Sequence, residues 1–266
     1  MSPKYAIDSG SSRTVDSATR AFSLVATQTV PDLMLGCWRR AWIEFTDGRR
    51  DDTGVVLWLQ TESAMVDVRV PADRGDFGGC TSLKECTIDQ LRAIASSDGS
   101  SGWTQCSSVV EDTDGIATAT AEWHTRGHGI NFQPVSAYPE PGLMTWNDDA
   151  TVMHERAPSG AYVEEWGLVP GSRRRLYVDT CGDVNVYRAG PVAVIVRDRM
   201  QPVPRQARLV DLVDEFADDR ATLEGLLDCE FSIAEERDGR WTITTSTLPW
   251  LQGTRLEGTH PDVDLR

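Results

Sequence analysis

Residues 33–71 read LMLGCWRRAWIEFTDGRRDDTGVVLWLQTESAMVDVRVP. The stretch contains three short runs rich in apolar, β-branched and aromatic residues, and turn residues such as Asp47-Gly48 separate them. Short runs of this kind joined by tight turns predict antiparallel strands in a meander. In the third run Met65, Asp67 and Arg69 are spaced by two, so they share one face of the predicted strand.

The same pattern continues along the rest of the chain. Further apolar runs flank the pairs Asp114-Gly115 and Asp238-Gly239, and each pair predicts a hairpin. Two helical segments interrupt the strands. Thr87 and Gln90 form a capping-box pattern that opens a short helix, and residues 207–228 carry apolar residues at helical spacing. The glycines and serines of residues 97–102 predict a loop.

The order of these segments determines the predicted fold class. Strands and helices do not alternate, which argues against a parallel doubly wound sheet. The sequence therefore predicts a mainly β protein with antiparallel lipocalin- or calycin-like barrels in two lobes and a few short helices. We expect residues 1–30 to form a flexible leader and residues 31–135 a first barrel lobe. Residues 136–266 are then a second barrel lobe that includes the helical segment 207–228 and a closing hairpin.

Charge and composition narrow the classes of function. The chain has 266 residues and a net charge of −15, which disfavours binding to nucleic acid or to an anionic membrane surface. The N-terminal residues lack the apolar core of a signal peptide, and no window approaches the ~18 apolar residues of a membrane span. The six cysteines include no CxxC pair, which favours reduced thiols. We therefore expect a cytoplasmic protein whose partner is a small molecule, and a homodimer is compatible with this expectation.

Eight motifs occur in an order that is similar to that of a known family. They are GCWRR (36–40), WLQT (58–61), AEWH (121–124), NFQP (131–134), YVEEW (162–166), VRDR (196–199), CEFS (229–232) and STLPW (246–250). The chain resembles, from Leu33 to Gly253, a little-characterised family of two-lobed lipocalin-like β-barrel proteins with bacterial members and a fungal casein-kinase-interacting protein. The resemblance implies two calycin-like barrels that share an interface, with no established family-wide chemistry.

One departure from the family pattern concerns a carboxylate. In the family, Trp-His-Arg is followed by Asp-Phe-Gln-Pro. Here Trp123-His124-Thr125-Arg126 precedes Asn131-Phe132-Gln133-Pro134, with an amide in place of the carboxylate. If that aspartate serves the family as a base, this protein has lost it or carries it elsewhere.

Two residues are candidates for acid–base chemistry. His124 follows Trp123 at the predicted end of a strand, where a barrel mouth would lie, and a neutral imidazole can transfer protons near neutral pH. Tyr162, Glu164 and Trp166 share one strand face, and its two aromatic rings mark it as the predicted interior. Burial would raise the pKa of Glu164 unless an arginine pairs with it. A structural histidine and an exterior salt bridge are the alternatives.

The predicted pocket also needs residues that orient a ligand. Arginines at strand ends suit bidentate binding of a carboxylate or phosphate, and ion pairs at the barrel rim are the alternative. The alternation of Arg39 and Arg40 does not decide which side chain points inward, and we select Arg39. The predicted substrate-binding residues are Arg39, Trp58, Gln60, Trp123, Asn131, Gln133, Tyr162, Trp166, Arg197 and Arg199.

Metal and cofactor sites are not expected. His124 and His128 are four residues apart, which on a strand at ~3.3 Å per residue separates them by about 13 Å, too far for one metal ion. His154 and Glu155 could join them only if the strand order brought them near. The sequence has no glycine-rich nucleotide-binding motif and no nucleophile elbow.

These observations lead to three hypotheses of function. The first is a cofactor-independent isomerase, lyase or cyclase acting on a small carbonyl- or carboxylate-bearing metabolite. In it His124 and Glu164 form the acid–base pair, while Arg197, Arg39 and Gln133 orient the substrate. The second is a non-catalytic lipocalin-like carrier or sensor of a small apolar metabolite. The third, suggested by the fungal relative's partner, is a protein-interaction scaffold.

Overall fold

A computed structural model describes residues 30–125 and 129–265. Its strands are β1 (Gly36–Phe45), β2 (Arg50–Asp51), β3 (Val55–Gln60), β4 (Met65–Val70), β5 (Asp98–Cys106), β6 (Val110–Glu111), β7 (Ala117–His124), β8 (Gly142–Trp146), β9 (Val152–Arg156), β10 (Tyr162–Leu168), β11 (Tyr177–Cys181), β12 (Val184–Ala189), β13 (Val192–Arg197), β14 (Glu230–Arg237) and β15 (Arg240–Ser246). The α-helices are α1 (Ile88–Ala95), α2 (Leu209–Glu215), α3 (Arg220–Leu227) and α4 (Leu256–Thr259). Short 3-10 turns span Asp32–Met34, Leu83–Glu85 and Pro249–Leu251. The predicted leader, up to residue 29, lies outside the described residues.

The first sheet closes into an antiparallel barrel. Its eight long strands follow the order β10-β9-β8-β7-β5-β4-β3-β1, and β1 pairs with β10 to complete the ring. The closing ladder places Arg40 opposite Trp166, and a register shift follows Arg40. The short strands β2 and β6 pair with β1 and β7. The predicted fold class, mainly β with antiparallel barrel structure and a few short helices, is confirmed.

A second antiparallel sheet packs against the outside of the barrel. It contains five strands in the order β11-β12-β13-β14-β15, and the described residues show no pairing between its two edges. Leu57 and Val68 on the outer face of the barrel share one apolar core with Val194 and Phe231 of this sheet. The sheets change between β10 and β11, later in the chain than the predicted lobe boundary after residue 135. Strands β8 to β10 complete the barrel because β10 provides the closing partner of β1.

Local sequence signals account for two elements near the barrel. Thr87 and Gln90 cap α1 reciprocally, as the capping-box pattern predicts. The predicted loop at residues 97–102 is wrong, since most of it lies in β5. Both glycines occupy positions of the strand where a side chain would not fit. A Cβ at Gly99 would lie 2.7 Å from the Phe231 ring, and a Cβ at Gly102 would collide with the His124 backbone. The glycines mark close approach within a sheet.

The helices cover the junction between the sheets. The helical segment predicted at residues 207–228 forms two helices, α2 and α3, which join the same core as α1. Asp219 begins α3 as its N-cap, accepting a hydrogen bond from the backbone N–H of Thr222. Within the described part of the chain no helix is long and apolar enough to cross a membrane.

The inside of the barrel is divided into an apolar and a polar half. The apolar half is a cluster to which Trp38, Trp58, Met144 and Trp166 contribute from four different strands. Small barrels are normally filled by such inward side chains. In the other half the inward positions carry charged side chains, and a cavity lies there.

Candidate functional site

The candidate site is a cavity of about 860 Å³ in the polar half of the barrel. This volume lies in the range of ligand pockets of small molecules. Seven predicted site residues line it: Trp58, Trp123, His124, Asn131, Gln133, Tyr162 and Trp166. Asp67, Arg69, Asp98, Tyr138 and Glu155 line it as well.

Three tryptophans form an aromatic wall of the cavity. The Trp58 ring packs edge-on against Trp123 and Trp166, with centroids 6.1 and 6.4 Å away. This T-shaped geometry is favourable for aromatic rings and holds each indole in place. The indole N–H groups of Trp58 and Trp166 are buried and have no hydrogen-bond partner among the described residues. An unpaired buried donor is costly, so a ligand acceptor would stabilise this wall.

Two carboxyl groups face each other in the polar half. Glu155 of β9 and Glu164 of β10 are directly opposite in their ladder and are 5% and 1% exposed. Glu164 is held by two guanidinium groups, Arg40 at 2.9 Å and Arg69 at 3.4 Å. Arg40 and Arg69 are thus the arginine partners that the sequence left open for Glu164. Glu164 does not line the cavity itself and supports Arg69, which does.

Glu155 is in a different state from its neighbour. Burial, strengthened by the charge of Glu164, raises the pKa of Glu155 to about 8. Its Oε1 accepts a hydrogen bond from the Tyr162 hydroxyl at 3.1 Å. Burial, with the two carboxyls nearby, also raises the pKa of Tyr162. At neutral pH Glu155 is therefore protonated and can donate a proton into the cavity.

Asp98 is the second unusual carboxyl group. It is directly opposite Arg69 in the ladder of β4 and β5, yet the Arg69 guanidinium bonds to Asp67 instead, at 2.8 Å. Asp98 accepts a hydrogen bond of 2.7 Å from the backbone N–H of Gly99. Burial raises the pKa of Asp98 to about 6, so it is largely ionised at neutral pH.

Residues 131–141, which precede β8, form the mouth of the cavity. Tyr138 packs on the Arg69 guanidinium at 4.8 Å and edge-on against Tyr162 at 5.2 Å. Gln133 anchors the segment, since its Nε2 donates to the carbonyls of Ala95 and Ser97 at 2.7 and 2.6 Å. Its Oε1 also accepts a hydrogen bond from the backbone of α2. Gln133 therefore both lines the cavity and fixes its mouth.

His124 lies at the mouth, at the end of β7. Its ring stacks on Trp103 with centroids 4.1 Å apart, and a third of the side chain is exposed. Its Nε2 lies 3.8 Å from a carboxylate oxygen of Glu122, beyond hydrogen-bond distance. The two residues of the predicted acid–base pair are thus in different places. His124 lies at the mouth of the cavity, and Glu164 lies in an internal cluster of ion pairs.

Four predicted binding residues lie away from the cavity lining. Arg39 bonds to Glu235 of the second sheet at 2.5 Å, so the arginine that enters the barrel is Arg40. Gln60 is buried and bonds to the backbone of the β3–β4 turn. Arg197 pairs with Asp228 at 2.7 Å, and Arg199 donates to the Phe132 carbonyl at 2.6 Å.

Sequence reasoning did not select Glu155, Asp98 or Tyr138 for the site. Glu155 lies two residues after Met153, which is buried, so both share one strand face. An apolar residue at that spacing is a usable signal that Glu155 points inward. Asp98 precedes two closely spaced glycines, which favour a loop over the strand in which it lies. Tyr138 lies between prolines in a segment without periodicity, so no strand pattern could place it.

The histidines do not assemble a metal site in the described residues. His154 is on the outer face of β9, where it bonds to Glu165 at 3.1 Å. His128 lies outside the described residues. No group of three potential ligands occurs among the residues that the structure describes.

The comparisons with known proteins add no name to this geometry. Models of known protein families, curated protein sequences and solved structures gave no match to the chain.

Proposed function

We propose that this protein is a cofactor-independent enzyme of isomerase, lyase or cyclase type that acts on a small molecule in the barrel cavity. The observation that carries the proposal is the placement of Glu155 and Glu164. Two facing carboxyl groups have different surroundings, with one held by arginines and the other by a tyrosine hydroxyl. Environments that separate the proton affinities of neighbouring carboxyls are typical of acid–base sites.

In this proposal Glu155 is the general acid. It donates its proton to the substrate from inside the cavity, and the resulting carboxylate accepts the Tyr162 hydrogen bond. His124 at the mouth is the proposed general base, because an imidazole nitrogen can accept a proton and its Nε2 has no hydrogen-bond partner among the described residues. The tryptophan wall and Tyr138 exclude water and hold the substrate in a reactive shape.

The aromatic wall also supports a second function, that of a carrier or sensor. A cavity in which three indoles meet also suits a carrier or sensor that retains its ligand without changing it. The resemblance to the two-lobed lipocalin-like family supports a small-molecule pocket and favours neither function. Retention without conversion is the outcome that separates the carrier from the enzyme.

The test compares the wild-type protein with Glu155→Gln in a small-molecule extract of cells, followed by untargeted mass spectrometry. Glu44→Gln is the matched control, because Glu44 is half-exposed on β1 and pairs only weakly with Arg50 at 3.5 Å. The enzyme proposal predicts a compound that wild type and Glu44→Gln convert to an isomer or to fragments and that Glu155→Gln leaves unchanged. A compound that copurifies with all three proteins and is never converted would establish the carrier.

A further inference from the structure

The charge of the cavity indicates what kind of ligand it takes. Among the described residues, its lining includes one guanidinium, Arg69, and, apart from the protonated Glu155, four carboxyl side chains: Asp67, Asp98, Glu122 and Glu140. A cleft lined by one sign of charge concentrates ligands of the opposite sign. The count alone is insufficient, because the arginine could still be free to bind an anion.

The ion pairs show that neither inward arginine is free. Arg69 is held by Asp67 at 2.8 Å and by Glu164 at 3.4 Å. Arg40, behind it, is held by Glu164 at 2.9 Å and by Asp51 at 2.8 Å. Two guanidinium groups are thus already shared by three carboxylates. An anionic ligand would have to break one of these pairs.

Asp98 is a carboxylate that takes part in none of these ion pairs. It lines the cavity, and no arginine, lysine or histidine of the described residues lies within ion-pair distance of it. Its hydrogen bonds come from backbone N–H groups, which do not neutralise its charge. The charge of Arg69, opposite Asp98 in the ladder, acts on it without forming an ion pair. A ligand cation would supply the direct ion-pair partner that Asp98 lacks among the described residues.

The tryptophan wall provides a second, independent observation. Trp58 and Trp166 are 2% and 1% exposed, both line the cavity, and the indole N–H of each has no partner among the described residues. Indole faces attract cations, and indole N–H groups need an acceptor. The same wall therefore favours a positive charge near the rings and an oxygen atom near an N–H.

We propose that the cavity binds a small organic cation, a protonated or quaternary amine that also carries a hydrogen-bond acceptor, with its charge facing Asp98. The body of the ligand packs against the tryptophans. This inference rests on the proposed function only in taking the cavity as the working site. It replaces the carboxylate-bearing metabolite that strand-end arginines suggest.

Three matched probes test the inference by isothermal titration calorimetry at pH 7.5. They are acetylcholine, its neutral carbon isostere 3,3-dimethylbutyl acetate, and pentyltrimethylammonium, which lacks the ester acceptor. We expect acetylcholine to bind at least tenfold more tightly than the neutral isostere and several-fold more tightly than pentyltrimethylammonium. Equal affinity for acetylcholine and the neutral isostere, or no binding of acetylcholine, overturns the proposal. Equal affinity for both cations overturns the acceptor part.

Variants then locate the charge. Asp98→Asn should weaken acetylcholine binding at least fivefold and leave the neutral isostere within twofold, because the amide keeps the acceptor for Gly99 and loses the charge. Asp114→Asn, in the exposed hairpin turn between β6 and β7, is the matched control and should change neither affinity. An unchanged affinity in Asp98→Asn contradicts the assignment of the charge to Asp98.

Glu155→Gln separates this inference from the proposed enzyme. At pH 7.5 it should lower conversion of the metabolite found in the extract by roughly 10²–10⁴ and leave acetylcholine affinity within threefold. Cation binding without conversion of any compound would retain the ligand class and remove the enzyme. Conversion that depends on Glu155, combined with preference for the neutral isostere, would retain the enzyme and remove the ligand class.

Discussion

Glu155 and Glu164 are directly opposite each other in the ladder between β9 and β10, and both side chains are buried inside the barrel. Like charges in directly opposite positions destabilise a sheet. In this barrel Glu164 forms ion pairs with two arginines, while Glu155 is protonated and accepts a hydrogen bond from Tyr162. The two opposite carboxyl groups therefore do not both carry an uncompensated charge.

Replacing Glu155 should affect catalysis without unfolding the protein. Gln retains the acceptor for the Tyr162 hydroxyl but cannot donate a proton as an acid, so we expect turnover in Glu155→Gln to fall by roughly 10²–10⁴. The measurement is the conversion rate of the metabolite identified in the extract, with Glu44→Gln as the control of equal charge change. Turnover within a factor of three of wild type would remove Glu155 from the mechanism.

Glu155 should make the folded protein less stable as pH rises. The pKa of Glu155 is about 8 in the folded protein and near its ordinary value of 4.5 in the unfolded chain. Between these values the folded state binds more protons, so stability decreases as pH rises through this window. We expect the unfolding midpoint of Glu155→Gln to decline less than that of wild type between pH 5 and pH 8.5. Asp98 shifts in the same direction in both proteins and cancels in this comparison. Parallel curves for the two proteins would contradict the buried, protonated state.

Arg40 should be important for stability although it does not line the main cavity. Its side chain is 6% exposed and joins Glu164 to Asp51. Arg40→Met leaves Glu164 with Arg69 alone, and we expect a loss of roughly 3–5 kcal/mol, towards the lower end because Arg69 remains. Arg50→Met, which removes a half-exposed pair with Glu44 and the contact of the Arg50 guanidinium with the Trp42 ring, should cost about 1 kcal/mol. Chemical denaturation of both variants measures the difference, and equal losses would show that the internal ion pairs are not the supporting element.

Gln60 should prove to be structural. Its amide donates to the carbonyls of Thr61 and Ala64, and its oxygen accepts from the Thr104 hydroxyl at 2.6 Å. Gln60→Leu removes these partners from the Thr104 hydroxyl and the Thr61 carbonyl, while the Ala64 carbonyl keeps its hydrogen bonds from Thr61. We therefore expect a loss of about 1–3 kcal/mol in stability with ligand affinity unchanged. Gln252→Leu, at an exposed position, is the control. Lost affinity with unchanged stability would instead return Gln60 to the binding site.

Local patterns predicted the fold class because most neighbouring strands are joined by short turns. The hairpin at Asp238-Gly239, where Asp238 adopts a positive φ of 53° and Gly239 one of 72°, is a turn that few other residues allow. The inward face of β10 also followed from alternation, since Tyr162, Glu164 and Trp166 are all buried. These features depend on residues close together in sequence.

The features that the sequence did not predict depend on distant pairs. Barrel closure brings β1 against β10, which places Arg40 beside Glu164, 124 residues later in the sequence. No periodicity within either strand specifies that register. Without it the partner of Glu164 cannot be identified, and the spacing of Glu155 from Met153 does not show that Glu155 lies opposite Glu164. The acid–base group therefore becomes visible only when the ring of strands is assembled.

The most direct measurement is a ¹³C NMR titration of the side-chain carboxyl carbons in glutamate-labelled protein, compared with Glu155→Gln. The account predicts one glutamate carboxyl that titrates with a midpoint near pH 8 in wild type and is missing from the variant. If every glutamate carboxyl of the folded wild-type protein titrates near its ordinary pKa of 4.5 or below, Glu155 is ionised at neutral pH and the proposed acid does not exist.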